Sequence, residues 1–221
     1  MKNLYHSDIY KFDTPVSSYW EDTSSENLQI DKLTKDINSE IVVIGGGYTG
    51  LLCAINLIEN HNLDVILVEA GKIGWGASSR NAGFNCLPPS KMSFKQMQSI
   101  YGAEETKKFF KNSVEGSNHT KDIIKEYNID CDVSGDSSYV VAHHKNKFEQ
   151  IKEQAEVYKS EFGIETKIYS KQEFDEIGHG GTEQYGAFSY KPAFAINPLK
   201  FVNGIAKHAL SKKLKIGRAH V

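Results

Sequence analysis

Gly45, Gly47 and Gly50 stand in the spacing G-x-G-x-x-G, and Glu69 follows Gly50 by 19 residues. These residue types suit a dinucleotide. Gly45 can make a tight turn, Gly47 lets a pyrophosphate approach the backbone, and Gly50 lets a helix pack closely on its strands. The pyrophosphate then meets a helix N-terminus, where unpaired N–H groups and the positive end of the dipole favour anions. An acid at Glu69 can accept hydrogen bonds from ribose hydroxyls. It would also repel a 2′-phosphate, which disfavours NADP against NAD or FAD.

A second glycine run follows. Eight of the 18 glycines fall between Gly45 and Gly83, and Gly74-Trp75-Gly76-Ala77-Ser78-Ser79-Arg80-Asn81-Ala82-Gly83 is a stretch of small residues with a cation inside it. Small residues let a loop lie flat against a long cofactor. A guanidinium pairs with phosphate through parallel hydrogen bonds that Lys cannot reproduce. Of 26 basic residues only Arg80 and Arg218 are Arg, so an Arg in this loop points to a geometric requirement. The plainer alternatives are a glycine turn in an ordinary α/β sheet with a surface Glu, and an Arg that falls there by chance. The flanking pattern weighs against both.

That pattern is a βαβ unit. Ile41-Val42-Val43-Ile44 is a short, wholly apolar run and suits a central parallel strand buried on both faces. Leu51, Leu52, Ile55 and Ile58 then recur at helical spacing, and Val65-Ile66-Leu67-Val68 makes a second strand. Residues 1–35 read as an extended polar arm whose aromatics, Tyr5, Tyr10, Phe12, Tyr19 and Trp20, dock on the body. Gly71 to Pro89, with Pro88 and Pro89 consecutive, is loop-like. Residues 103–127 keep a helical apolar face through Phe110, Val114, Ile124 and Tyr127. Beyond them come a strand at 138–142 and an amphipathic helix through Phe148, Ile151, Ala155, Tyr158 and Phe162. A strand at 165–169 precedes a helix opened by Ser170 and Glu173 as a capping box. A strand at 184–190 leads to a last helix begun by Asn197 and Pro198.

Val42 to Gly83 resembles the N-terminal FAD-binding signature of the D-amino-acid-oxidase-like family of FAD-dependent oxidoreductases, and is most similar to its γ-glutamylputrescine oxidoreductase type. Ser18-Tyr19-Trp20 and Phe194-Ala195-Ile196-Asn197-Pro198-Leu199 match that type too, so the resemblance spans nearly the whole chain. It implies an α/β fold (α+β overall), with a Rossmann-like FAD-binding domain, an interleaved mixed-sheet substrate domain, and the C-terminal part missing. The implied division is residues 1–35 as arm, 36–130 as the first part of the FAD-binding domain and 131–191 as the first part of the substrate domain. Residues 192–215 would return to the FAD-binding domain. The implied cofactor is FAD, and the partner a small-molecule amine or amino acid that passes a hydride to the flavin and leaves an imine for hydrolysis. Carried over by position, Gly45, Gly47, Tyr48, Thr49 and Gly50 would hold the pyrophosphate, with Glu69 and Ala70 at the ribose. Ala77, Ser78, Ser79, Arg80 and Asn81 would line the phosphate and ribityl region, and Gly83 and Phe84 would approach the isoalloxazine ring. No catalytic residue is assigned; the family's pocket lies in the later segment. An NAD-linked dehydrogenase and a non-catalytic Rossmann-like binding protein are the alternatives, the first disfavoured by the 74–83 loop.

The remaining residues narrow the function by exclusion. With 26 basic against 28 acidic residues the net charge is −2, which leaves no electrostatic case for nucleic acid or an anionic membrane. No apolar run approaches the ~20 residues of a spanning helix, and the polar N-terminus lacks a signal-peptide core, so a cytoplasmic location is expected. Cys53, Cys86 and Cys131 are too widely spaced for a metal or redox motif, and no metal is expected. His143 and His144, adjacent at a strand end, should be one solvated and one packed residue, and His179 sits in a glycine turn. Lys207, Lys212, Lys213 and Lys215 suit the solvated end of a helix. The last six residues, Ile216-Gly217-Arg218-Ala219-His220-Val221, match one reading frame of a common sequencing adapter. They are expected to be a non-native tail after Lys215, on a fragment inactive alone.

Overall fold

The structure is a computed structural model, and it describes residues 6–14, 17–24, 28–87, 92–178 and 180–219. Tyr5, Pro88, Pro89, His179, His220 and Val221, named above, lie outside the described residues. The chain divides into two compact units that interleave in sequence. The first takes residues 1–83, 123–133 and 196–221; the second takes 84–122 and 134–195.

In the first unit, β1 (Ile41–Ile44) and β2 (Val65–Glu69) pair in parallel, and β8 (Lys215–Arg218) pairs in parallel on the other side of β2. The sheet order is therefore β1–β2–β8. A parallel pair needs a crossover, and α2 (Tyr48–His61) supplies it. Its buried residues Leu51, Ala54 and Ile55 recur at helical spacing, and it stops at Asn62, whose left-handed backbone (φ 52°) lets its N–H close on Ile58 O at 3.1 Å. A short helix, α1 (Tyr19–Asp22), precedes the sheet, and α7 (Pro198–Ser211) leads into β8. Asn197 caps α7 through its side-chain oxygen, which accepts from Leu199 N and Lys200 N at 3.2 Å each. Proline sits at the helix start, as the sequence predicts.

β1 is not buried on both faces. Val43 faces α2, while Val42 and Ile44 are 56% and 83% exposed. Among the described residues β1 is an edge strand, and on its second apolar face Val42, Ile66 and Val68 line a shallow groove with the segment around Leu33 and Ile37.

The second unit is built on an antiparallel sheet of order β4–β6–β5, from Ser138–Val141, Ala187–Lys191 and Glu165–Tyr169. The helix α5 (Lys145–Phe162) packs on it, and α6 (Lys171–Ile177) opens with the capping box expected at Ser170 and Glu173. Phe188 at its centre is fully buried, a contribution of about 1.5–3 kcal/mol for a side chain of this kind. Two further helices, α3 (Phe94–Tyr101) and α4 (Ala103–Glu126), join this core, and β3 (Phe84–Asn85) pairs with β7 (Phe194–Ala195). The expected division at residue 130 therefore moves. Phe110 of α4 stacks flat on Phe162, ring centres 4.2 Å apart, and Met97 of α3 shares that core, so residues 84–122 belong to the second unit.

One other expectation changes. His143 and His144 are both exposed, because β4 ends at Val141 and the two histidines lie past it. Ile216, Gly217 and Arg218, read above as tail, pair with β2 as part of β8. Among the described residues no helix is long and apolar enough to cross a membrane.

Candidate cofactor site

The turn from β1 into α2 is shaped by backbone. Gly45 has φ 101°, a conformation that side chains disfavour, and its N–H donates to Val68 O at 2.8 Å, closing the turn on the neighbouring strand. At Gly50 a Cβ would lie 1.9 Å from Gly45 O. Only glycine lets the first turn of α2 come so near, and the nearest obstacle to a Cβ is the turn's own backbone, with the Val43 side chain of β1 next at 3.4 Å. Gly47 is the N-cap and makes no side-chain cap hydrogen bond, so the helix's first N–H groups are not satisfied by its own capping residue. One of them, Tyr48 N–H, donates to Ser78 Oγ at 3.2 Å, bringing the second glycine run to the helix N-terminus.

Glu69 ends β2 with both carboxylate oxygens engaged. Oε2 accepts from Gly46 N–H at 2.6 Å and Oε1 from Gly71 N–H at 2.9 Å. Each oxygen keeps a second lone pair for an incoming hydroxyl donor. Ala70 follows; its carbonyl accepts from Arg218 Nε at 3.4 Å.

The loop 71–83 carries a turn closed by Trp75 N–H on Lys72 O at 3.0 Å and a short 3₁₀ turn, Ala77–Ser79, and side chains hold much of the rest. The buried Ser79 hydroxyl bonds to Gly74 O and to Gly76 O. Asn81 Nδ2 donates to Ala77 O and Ser78 O at 3.1 and 3.2 Å, and Asn81 Oδ1 accepts from Gly83 N–H at 2.9 Å. Gly83, with φ 76°, is buried where a Cβ would strike Ile196 O. Arg80 lies over the Trp75 ring, 4.9 Å from its centre, and its Nε and Nη2 are buried without a hydrogen-bond partner. An unpartnered buried guanidinium is costly.

The expected residues thus divide by what their side chains do. Gly45, Gly47, Tyr48, Thr49, Gly50, Glu69, Ala70, Ala77, Ser78, Ser79, Arg80, Asn81 and Gly83 all fall in the first unit. Phe84 opens β3 of the second and is 73% exposed. Tyr48 offers only its backbone N–H at the turn. Its ring packs on Phe201, its hydroxyl donates to Pro198 O at 3.2 Å, and burial pushes its pKa to about 12. The Ser79 hydroxyl is consumed within the loop. Thr49 is exposed on the first turn of α2.

Sequence reasoning missed Trp75 as the platform under Arg80 and missed the arm's hold on the loop. Trp20 Nε1–H donates to Asn81 O at 2.9 Å, and Lys72 Nζ pairs with Glu21 Oε1 at 2.7 Å. The signal was two tryptophans, one in a polar arm and the other in a run of small residues.

This geometry has counterparts. Residues 40–220 match the family described as DAO, FAD dependent oxidoreductase. The chain is 33% identical over 145 residues to a gamma-glutamylputrescine oxidoreductase of Escherichia coli, covering 65% of this chain and 34% of that protein. It is 24% identical over 209 residues to a "Probable oxidoreductase OrdL" of Haemophilus influenzae, covering 94% and 47%. Among solved structures, the L-amino acid deaminase of Proteus myxofaciens in complex with anthranilate superposes with a TM-score of 0.67 at 17% identity, over 87% of this chain and 41% of that one. The glycine oxidase of Bacillus cereus superposes with a TM-score of 0.59 at 16% identity, over 82% and 46%. The chain spans about a third to a half of the length of the curated relatives it matches.

Proposed function

The chain belongs to the DAO family of FAD-dependent oxidoreductases, and we propose that it is the cofactor-binding portion of an enzyme that oxidises a small amine or amino acid. FAD is the family's cofactor, and the residues present fit it. The observation that carries the reading is the pairing of a side-chain-free cradle with an unsatisfied cation: Gly50 against Gly45 O at the head of α2, and Arg80 Nε and Nη2 buried without a partner. A diphosphate would answer both needs.

In this reading the Gly45–Gly50 turn and the α2 N-terminus bind the pyrophosphate, and Glu69 orients the ribose through its free lone pairs. Ser78 and Asn81 shape the loop around the phosphate and ribityl region, and Arg80 neutralises phosphate charge while Trp75 supports the guanidinium. Bound FAD supplies the hydride-accepting chemistry. The amine class is supported by the likeness to a gamma-glutamylputrescine oxidoreductase, an L-amino acid deaminase and a glycine oxidase.

Titration of the purified chain with FAD, followed by flavin fluorescence, tests the assignment. Weak, saturable binding that Gly50→Val abolishes and that NAD competes for poorly is expected. Absence of saturable binding, equal competition by NAD, or binding indifferent to Gly50→Val overturns it.

A further inference from the structure

The arm ahead of β1 precedes residues 40–220, the span that matches the DAO family, and it is fastened to the loop 71–83 at both ends. Trp20 Nε1–H donates to Asn81 O at 2.9 Å near the loop's close. Glu21 Oε1 accepts from Lys72 Nζ at 2.7 Å near its start, with side chains 20% and 38% exposed. A third fastening reaches α7, where Asn197 Nδ2 donates to Thr23 Oγ1 at 3.3 Å. Asn197 is the buried cap of that helix, and its neighbour Ile196 N–H donates to Gly83 O at 2.8 Å, so the loop's last residue rests on the residue beside the one Thr23 holds. The arm presents these groups because Ser18 Oγ caps α1, accepting from Glu21 N–H at 3.3 Å, while the Thr23 hydroxyl turns back on Tyr19 O and Trp20 O.

Asn81 explains why this attachment point matters. Its side chain ties Ala77, Ser78 and Gly83 together, so whatever fixes the Asn81 peptide also steadies the 3₁₀ turn at Ala77–Ser79. These bonds lie within the loop, and ties from outside it add to its resistance to local opening. The ion pair is partly exposed and adds little by itself. The indole N–H and the Thr23 hydroxyl, reaching across 61 and 174 residues of sequence, remain as the specific ties.

We propose that Ser18–Thr23 is a strap that holds loop 71–83 in its cofactor-receiving conformation, with Trp20 and Thr23 as positioning residues. The strap acts through the loop. It raises affinity by lowering the ordering cost that binding would otherwise meet. This inference rests on the assignment of loop 71–83 to FAD.

Hydrogen exchange on the 221-residue chain tests the strap without any cofactor. Trp20→Phe keeps the ring and deletes the N–H, and Thr23→Val keeps the shape and deletes the hydroxyl. Both should speed exchange at the amides of Ser79, Arg80 and Gly83 about five-fold, the factor for one net hydrogen bond, with β1, β2 and α2 unchanged. Unchanged exchange at those three amides, or a uniform rise across the whole unit, overturns the strap. FAD titration of the same variants separates the two readings. A matching loss of affinity supports both, whereas faster loop exchange with undiminished FAD binding leaves the strap standing and overturns the assignment of the loop to the cofactor.

Discussion

The Arg80 guanidinium lies 4.9 Å from the centre of the Trp75 ring, and Phe12 meets the same ring edge-on with centres 5.0 Å apart. The indole supports the guanidinium at cation–π distance, and a guanidinium offers a phosphate the parallel hydrogen bonds that an ammonium cannot. Two of the three guanidinium nitrogens, Nε and Nη2, are buried and unpartnered. Lysine at this position would keep the charge and lose the fork. Arg80→Lys should weaken FAD binding by roughly ten- to a hundred-fold, the range for losing a charged hydrogen bond. Fluorescence titration checks this. Equal affinity would mean that the guanidinium geometry is not used.

Glycine at position 50 is required by backbone, which cannot move aside as a side chain could. Gly50→Ala should destabilise the first unit by about 1–3 kcal/mol, since its Cβ would overlap Gly45 O. Gly116 on α4 is the matched control: it is exposed, and a Cβ there meets nothing within 4 Å. Gly116→Ala should stabilise by about 0.8–1 kcal/mol through helix propensity. Urea denaturation of the two variants would show shifts of opposite sign; shifts of the same sign would contradict the close approach at Gly50.

The βαβ core was legible because short-range pattern and long-range environment agree there. Ile41–Ile44, the glycine turn, the α2 stripe and Val65–Glu69 carry period, breaker and apolar content in the right order, and Ser170 and Asn197 announced their helices by capping chemistry. What could not be read is long-range. Nothing local to Trp20 says that its N–H ends on Asn81, and nothing local to Phe110 says that it stacks on Phe162. Val42 and Ile44 carry the composition of a strand buried on both faces, yet one of those faces stands exposed here.

Acid should loosen the joint between α2 and α7. Glu59 is held below the usual carboxylate range, first by its hydrogen bond to Lys212, whose Nζ lies 2.7 Å from Oε1, and then by His208, stacked on Tyr127, against some opposing burial. A carboxyl with a depressed folded-state pKa contributes stability above its unfolded value of about 4.3 and loses it as pH falls through the folded value. Lys212→Met removes the main cause. It should make the chain less stable at neutral pH and flatten the fall in stability below about pH 4, as read by circular dichroism over a pH series. An acid limb identical to that of the wild type would show that the pair contributes nothing.

The exposed apolar face of β1 gives the last prediction. A parallel strand with β-branched residues on both faces is ordinarily covered on both, and an uncovered edge with Val42 and Ile44 outward is a template for pairing with another chain. Threonine keeps the β-branched shape at both sites and replaces a methyl or ethyl group by a hydroxyl that water can satisfy. The double variant Val42→Thr, Ile44→Thr should therefore change unfolding free energy by no more than about 0.5 kcal/mol per site, as expected for exposed positions. Its self-association should fall clearly in sedimentation velocity at matched concentrations. A large loss of stability with unchanged association would mean that this face is buried in solution by something the chain itself provides.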